Sequence, residues 1–210
     1  NLLLLKKVVP KELVLCTFTE KTSFEMRDRL AAAARKVGYA GDLSELTVST
    51  IHSLCNRLLT RYRHYTALGH NYDTLDDLTQ LLFIFDNFDE IIGPADSGLF
   101  LSRWKTRWTA IEGACGYFDK ITEELVNPLQ LVTSANPFLS RIGKAYLAYE
   151  KALLEANRID FAHLQRTVLD LLEAPNNSCS LGSQFKYILV DEYQDTNYVQ
   201  EQLLLKLAKE

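Results

Sequence analysis

Three short stretches stand out: residues 13–18 (Leu-Val-Leu-Cys-Thr-Phe) and 187–190 (Tyr-Ile-Leu-Val) are almost wholly apolar, and 46–49 (Leu-Thr-Val-Ser) is short and β-branched in its middle. Runs of this length between polar residues predict strands covered on both faces, as in a parallel sheet, although a buried helical turn leaves the same signature. Each run is followed by helical spacing. Met26, Leu30, Ala34 and Val37 lie on one stripe with Gly38 as a stop. Ile51, Leu54, Leu58 and Leu59 form a second stripe, and Val199, Leu203 and Leu207 a third. A strand then a helix, three times over, predicts an α/β fold with a parallel sheet. Residues 71–182 break the rhythm. No strand is evident there, and the apolar positions are helical: Leu75, Leu78, Leu81, Leu82, Phe85; then Ile142, Tyr146, Tyr149, Leu153; then Phe161, Leu164, Val168, Leu172. Turn signals at Gly93-Pro94, Asn127-Pro128, Asn136-Pro137 and Pro175-Asn176-Asn177 punctuate this part. It reads as a helical insertion, with the α/β core formed by residues 1–70 and 183–210.

Composition adds exclusions. Of 210 residues, 47% are apolar and 24% charged, so the chain is neither a disordered tail, a collagen-like repeat nor a small disulfide scaffold. No apolar run nears the roughly 18 residues of a membrane span, and no signal-peptide pattern is present, so no membrane partner is expected. Cys16, Cys55, Cys115 and Cys179 form no CxxC pair, which argues against zinc and a disulfide framework and makes a reducing cytoplasm the expected location.

The net charge of −4 does not advertise a nucleic-acid binder, but its distribution is uneven. Residues 51–70 carry Arg57, Arg61, Arg63, His52, His64 and His70 without an acid, whereas residues 71–102 carry seven acids and no Lys or Arg. The first segment is either a local basic patch or the solvated side of a helix.

The sharpest chemical signal is Asp191-Glu192 directly after the last apolar run. It puts adjacent carboxylates at the carboxyl edge of a parallel sheet, where α/β proteins bind ligands. In nucleotide hydrolases this is the Walker B arrangement: the first acid holds Mg²⁺, usually through water, and the second deprotonates the attacking water. An acidic polar turn is the bland alternative. The longer string Asp191-Glu192-Tyr193-Gln194-Asp195-Thr196-Asn197 is more specific, and it resembles motif II of the UvrD/Rep-type superfamily 1 DNA helicases.

Two further segments resemble the same family in the same order. Thr17-Phe18-Thr19-Glu20-Lys21, continuing through Glu25-Met26 to Arg29-Leu30, is similar to motif Ia. Ser49-Thr50-Ile51-His52-Ser53 is similar to the family's TFHS motif. A weaker likeness, Arg158-Ile159-Asp160-Phe161-Ala162-His163-Leu164, falls where the helical 1B insertion closes. The resemblance implies a RecA-like P-loop NTPase core with a helical insertion, in an ATP-dependent 3′→5′ DNA helicase that pairs with a second motor domain. It implies Asp191 as the Mg²⁺ ligand for bound ATP, Glu192 as general base and Gln194 as sensor of the γ-phosphate. It also implies contacts to single-stranded DNA by Thr17, Phe18, Thr19, Thr50, His52 and Ser53, with α-helical amides beside Thr50 as a phosphate site.

Several alternatives stay open on the residues alone. Phe18 is either a core side chain or a base-stacking one. Trp104 and Trp108, interleaved with Arg103, Lys105 and Arg107, are either a stacking platform or the core edge of one helix. Glu20 stands where the family usually has Asn, adding negative charge near the expected DNA path, and Ile51 replaces the usual Phe. No Gly-Lys-Thr or Gly-Lys-Ser occurs. The stretch therefore reads as part of a larger motor, inactive alone, with the motor part of a RecB/AddA-type helicase–nuclease and a nonenzymatic DNA-binding scaffold as rival readings.

Overall fold

The computed structural model describes residues 2–5, 8–174 and 185–208. They divide into two compact units, residues 1–61 with 167–210, and residues 62–166.

The first unit is built on a three-stranded parallel sheet in the order β2-β1-β5, with β1 Leu13–Thr17 at its centre, β2 Thr47–Thr50 and β5 Tyr187–Val190. Val14 pairs with Thr47 and Ile188, so the strands run in step and finish on one edge. All five β1 residues are buried, as expected of an apolar strand with neighbours on both sides. Helix α1, Glu20–Lys36, follows β1. Thr19 caps it by accepting from the Thr22 amide, Arg35 and Lys36 oppose the helix dipole in its last turn, and Gly38 at φ 67° ends it. Its Met26 and Leu30 pack on Leu13, Leu15 and Val48. Helix α2, Ile51–Tyr62, starts immediately after β2 and buries Ile51, Leu54, Cys55, Leu58 and Leu59.

β5 departs from the expectation of a strand covered on both faces. It lies at the margin of the described sheet, and its alternate side chains Tyr187 and Leu189 are 38% and 47% exposed. An unbroken apolar run therefore does not by itself say that both faces are covered. The thiols of Cys16 and Cys55 are buried, and burial pushes Cys16 up to about 12. Cys179 and the turn at 175–177 lie outside the described residues.

The second unit is mainly helical: α3 Asp77–Asp86, α4 Phe88–Ile91, α5 Arg107–Glu123, α6 Pro128–Val132, α7 Pro137–Glu155 and the start of α8 Phe161–Glu173. It also contains strands the sequence did not reveal. β3 Asp73–Leu75 and β4 Arg158–Asp160 pair in parallel, each only three residues long and too short to show a two-residue period. The core gathers Phe83, Ile84, Ile111, Phe118, Ile142 and Tyr149, with Phe118 and Tyr149 stacked at 5.0 Å. Gly143 lets α6 approach α7, because a methyl group there would sit 2.8 Å from the Val132 amide nitrogen.

One buried polar cluster interrupts this core. Tyr149 Oη donates to Asp160 Oδ2 at 2.6 Å, the His163 amide donates to Asp160 Oδ1 at 2.7 Å, and His163 Nδ1 lies 2.8 Å from Asp160 Oδ2. Asp160 is 2% exposed, yet its carboxyl is held below the usual range. Burial alone would raise it, but the imidazolium of His163 and these hydrogen bonds outweigh burial. Burial equally opposes the charge on His163, and Asp160 and Glu150 overcome it to push the imidazole up to about 10. After α8 the chain returns to the first unit, where a 3₁₀ turn, Tyr193–Asp195, follows β5 and helix α9, Tyr198–Leu207, begins with an Asn197–Gln200 capping box.

Candidate nucleotide and nucleic-acid site

The parallel register decides which residues meet. Thr17 at the end of β1 is opposite Thr50 at the end of β2, and the Asp191 amide donates to the Cys16 carbonyl at 2.8 Å. The loops that leave β1, β2 and β5 therefore emerge side by side at the carboxyl edge, and residues 17–19, 50–53 and 191–194 share it. Edges of this kind are where parallel α/β sheets hold their ligands.

On the β5 side, Asp191 and Glu192 are both exposed. Among the described residues, the Asp191 carboxylate makes no hydrogen bond or ion pair, which leaves its oxygens available to a hydrated cation. Glu192 sits at φ 53°, ψ 44°, in the left-handed region that a glutamate occupies only at some cost. This sharp reversal ends the strand and starts the 3₁₀ turn. Gln194 Nε2 donates to Glu192 Oε2 at 2.5 Å, so the glutamine expected to sense phosphate is bonded to the expected general base.

The β1 loop separates its three expected contact residues. The Phe18 ring is 61% exposed and is no core side chain. Thr19 is exposed and spends its hydroxyl capping α1, with Thr22 Oγ1 at 2.8 Å. Thr17 is only 2% exposed: its hydroxyl donates to the Thr19 carbonyl at 3.0 Å and lies 2.5 Å from Ser23 Oγ. The expectation of a Thr17 hydroxyl on DNA thus meets a hydroxyl already used inside the unit, where it braces the loop beneath Phe18. Ser23 is an addition to the site that sequence reasoning passed over. The four-residue spacing from Thr19 was the available signal.

The β2 end is tied to α1. Thr50 is 5% exposed, accepts from the Ser53 amide at 3.1 Å as a cap of α2, and donates to Glu20 Oε1 at 3.0 Å. Ser53 Oγ donates to the same Glu20 oxygen at 2.5 Å. His52 is half-buried in the first turn of α2. Arg57, one candidate of the basic segment, donates to Thr47 Oγ1 at 3.1 Å, and partial burial lowers its pKa.

The two tryptophans do not share a helix. Trp104 precedes α5 in a bridge with Phe100, whereas Trp108 is inside α5. Trp104 packs edge-on against Tyr117 and Phe138 with Arg103 above the group, and Trp108 Nε1 donates to Glu112 at 2.8 Å. The Thr106 cap starts a new helix between them, so their four-residue spacing does not put them on one helical face. No cluster of three metal-ligating side chains is present among the described residues, so any divalent ion here would depend on Asp191 together with water and phosphate oxygens. No helix among them is long and apolar enough to cross a membrane.

Comparison with known proteins shows the family. The family model for the UvrD/REP helicase N-terminal domain matches residues 1–210. The ATP-dependent DNA helicase PcrA of Leuconostoc citreum is 29% identical over 205 residues, covering 96% of this chain and 25% of its own length. The ATP-dependent DNA helicase UvrD1 of Mycobacterium tuberculosis is 30% identical over 208 residues, covering 94% and 24%. The ATP-dependent DNA helicase SRS2 of Saccharomyces cerevisiae is 28% identical over 220 residues, covering 99% and 18%. The chain spans a quarter or less of the length of these curated relatives. With a match along its whole length, the chain belongs to the UvrD/REP helicase family, as an N-terminal domain of that kind.

Proposed function

We propose that this chain supplies one face of the ATP site, and part of the DNA track, of a helicase that moves 3′→5′ along single-stranded DNA with a second motor domain as partner. The observation that carries the reading is the shared carboxyl edge, where the acidic pair after β5 stands in line with the ends of β1 and β2. Asp191 holds Mg²⁺ through water, and the ion supplies neutralisation of phosphate charge. Glu192 accepts the proton of the attacking water. Gln194, bonded to Glu192, fixes the direction of that carboxylate and links it to the turn toward α9. Phe18 offers an exposed ring to a base, while Thr19, His52, Ser53 and the α2 amides face the phosphate backbone. Thr17 acts by holding the β1 loop in position, and the Thr50 hydroxyl, which also caps α2, faces the phosphate together with Ser53.

Hydrolysis of ATP by the intact protein, with and without single-stranded DNA, tests this reading. Glu192→Gln is expected to abolish the stimulated rate while leaving strand binding intact, and that binding should weaken from low to high salt as counterions are released. Undiminished turnover in the variant would remove Glu192 from its role. Unwinding of 3′-tailed but not 5′-tailed duplexes is the expected polarity.

A further inference from the structure

We infer that Glu20 is an internal competitor for the strand: its carboxylate occupies the hydroxyl pair at the start of α2 and has to leave before a DNA phosphate can sit there. The inference rests on the DNA track proposed above and adds to it what sets its affinity. One oxygen, Oε1, accepts from both Thr50 Oγ1 at 3.0 Å and Ser53 Oγ at 2.5 Å, as a single phosphate oxygen would. The two residues are reached from 30 and 33 positions away, so the contact is made by the fold and not by local sequence.

The electrostatics favour an anion at this point. α2 has no acid of its own in its first turn, and its N-terminal amides carry partial positive charge. Glu20 supplies the missing negative charge from the first turn of α1. It is also poised to leave: it is exposed, and among the described residues no cation holds it. A strand phosphate and this carboxylate therefore compete for the same two donors. Binding must displace one anion by another, which weakens the complex and makes it easier to release.

Binding of oligothymidylate to the intact protein, measured across salt concentrations, tests the inference. Glu20→Gln keeps the side-chain length and an acceptor for the hydroxyls while removing the charge. It is expected to bind roughly fivefold tighter at low salt, the size of the repulsion between unit charges about 4 Å apart in water. Its salt dependence should be steeper by up to about 0.7 in the logarithmic slope, one further phosphate neutralised. Phe18→Ala, measured in parallel, should weaken binding. If Phe18→Ala weakens binding and Glu20→Gln leaves it unchanged or weaker, the competitor is overturned while the DNA track stands. If neither substitution nor salt alters binding, the track itself fails. In the unsubstituted protein, the ¹³C carboxyl resonance of Glu20 should shift when the oligonucleotide is added. A resonance that stays in place at saturation overturns the competition without recourse to any variant.

Discussion

Asp160 and Asp191 stand at the carboxyl ends of short parallel strands, the first as the last residue of β4 and the second just after β5, yet the fold treats them in opposite ways. Asp160, at the end of β4, is buried and meets Tyr149, the His163 amide and the His163 ring. Asp191, after β5, is exposed, and its carboxylate meets nothing among the described residues. The first is satisfied internally and stabilises the helical unit. The second keeps both oxygens open, which is what the proposed hold on a hydrated cation requires. Charge alone does not separate a structural acid from a working one; the number of partners the fold has already supplied does.

The largest expected effect falls on Glu192, the neighbour of Asp191 and the proposed general base. Glu192→Gln should reduce ATP hydrolysis by about 10²-fold or more, in the range of a lost general base, as measured by steady-state phosphate release. Removing the structural acid should instead unfold the protein more easily. Asp160→Ala strands the imidazolium of His163 in a buried setting and should cost about 3–5 kcal/mol in denaturant unfolding.

The same pair predicts a pH signature. The proton affinity of His163 is raised on folding, so its contribution is complete below its unfolded pKa of about 6.5 and drains away as pH climbs through about 10. Asp160 is shifted downward, so its share is present above about 4 and is lost on acidification below that. The stability gap between the natural protein and His163→Gln should accordingly be widest between about pH 4 and 6.5 and shrink in alkali. A gap that stays flat from about pH 6.5 to 10 would mean that the ring is not charged in the fold. The smallest effect sharpens the contrast from the other side: Asp191→Asn should change unfolding free energy by no more than about 0.5 kcal/mol, as for an exposed side chain without partners.

The sequence announced one side of this contrast better than the other. β1 and β5 are legible because their apolar runs are unbroken, and Asp191-Glu192 is legible because acids abut such a run. The helices around 26–37 and 51–62 follow from their stripes. β3 and β4 are not legible, since three residues carry no period and their pairing joins positions 73–75 with 158–160. The Asp160 cluster was hidden for a related reason: Tyr149 reaches it from another helix, and a sequence gives no distance between elements. Glu20 was visible as an unusual acid, but its two hydroxyl partners depend on the β1–β2 register. Thr17 and Phe18 are neighbours that alternate across a strand end, and only the fold could say that the first turns inward and the second outward.

Among the described residues of the first unit, Glu192 is the one non-glycine with a left-handed backbone. Its Cα–Cβ bond therefore leaves the chain in a direction that the main chain sets, and Gln194 holds the carboxylate beyond it. The preceding amide, that of Asp191, is clamped to the central strand through the Cys16 carbonyl, so the reversal starts from a fixed point on the sheet. The orientation of β5 against β1 thus sets where the Glu192 backbone stands at the sheet edge.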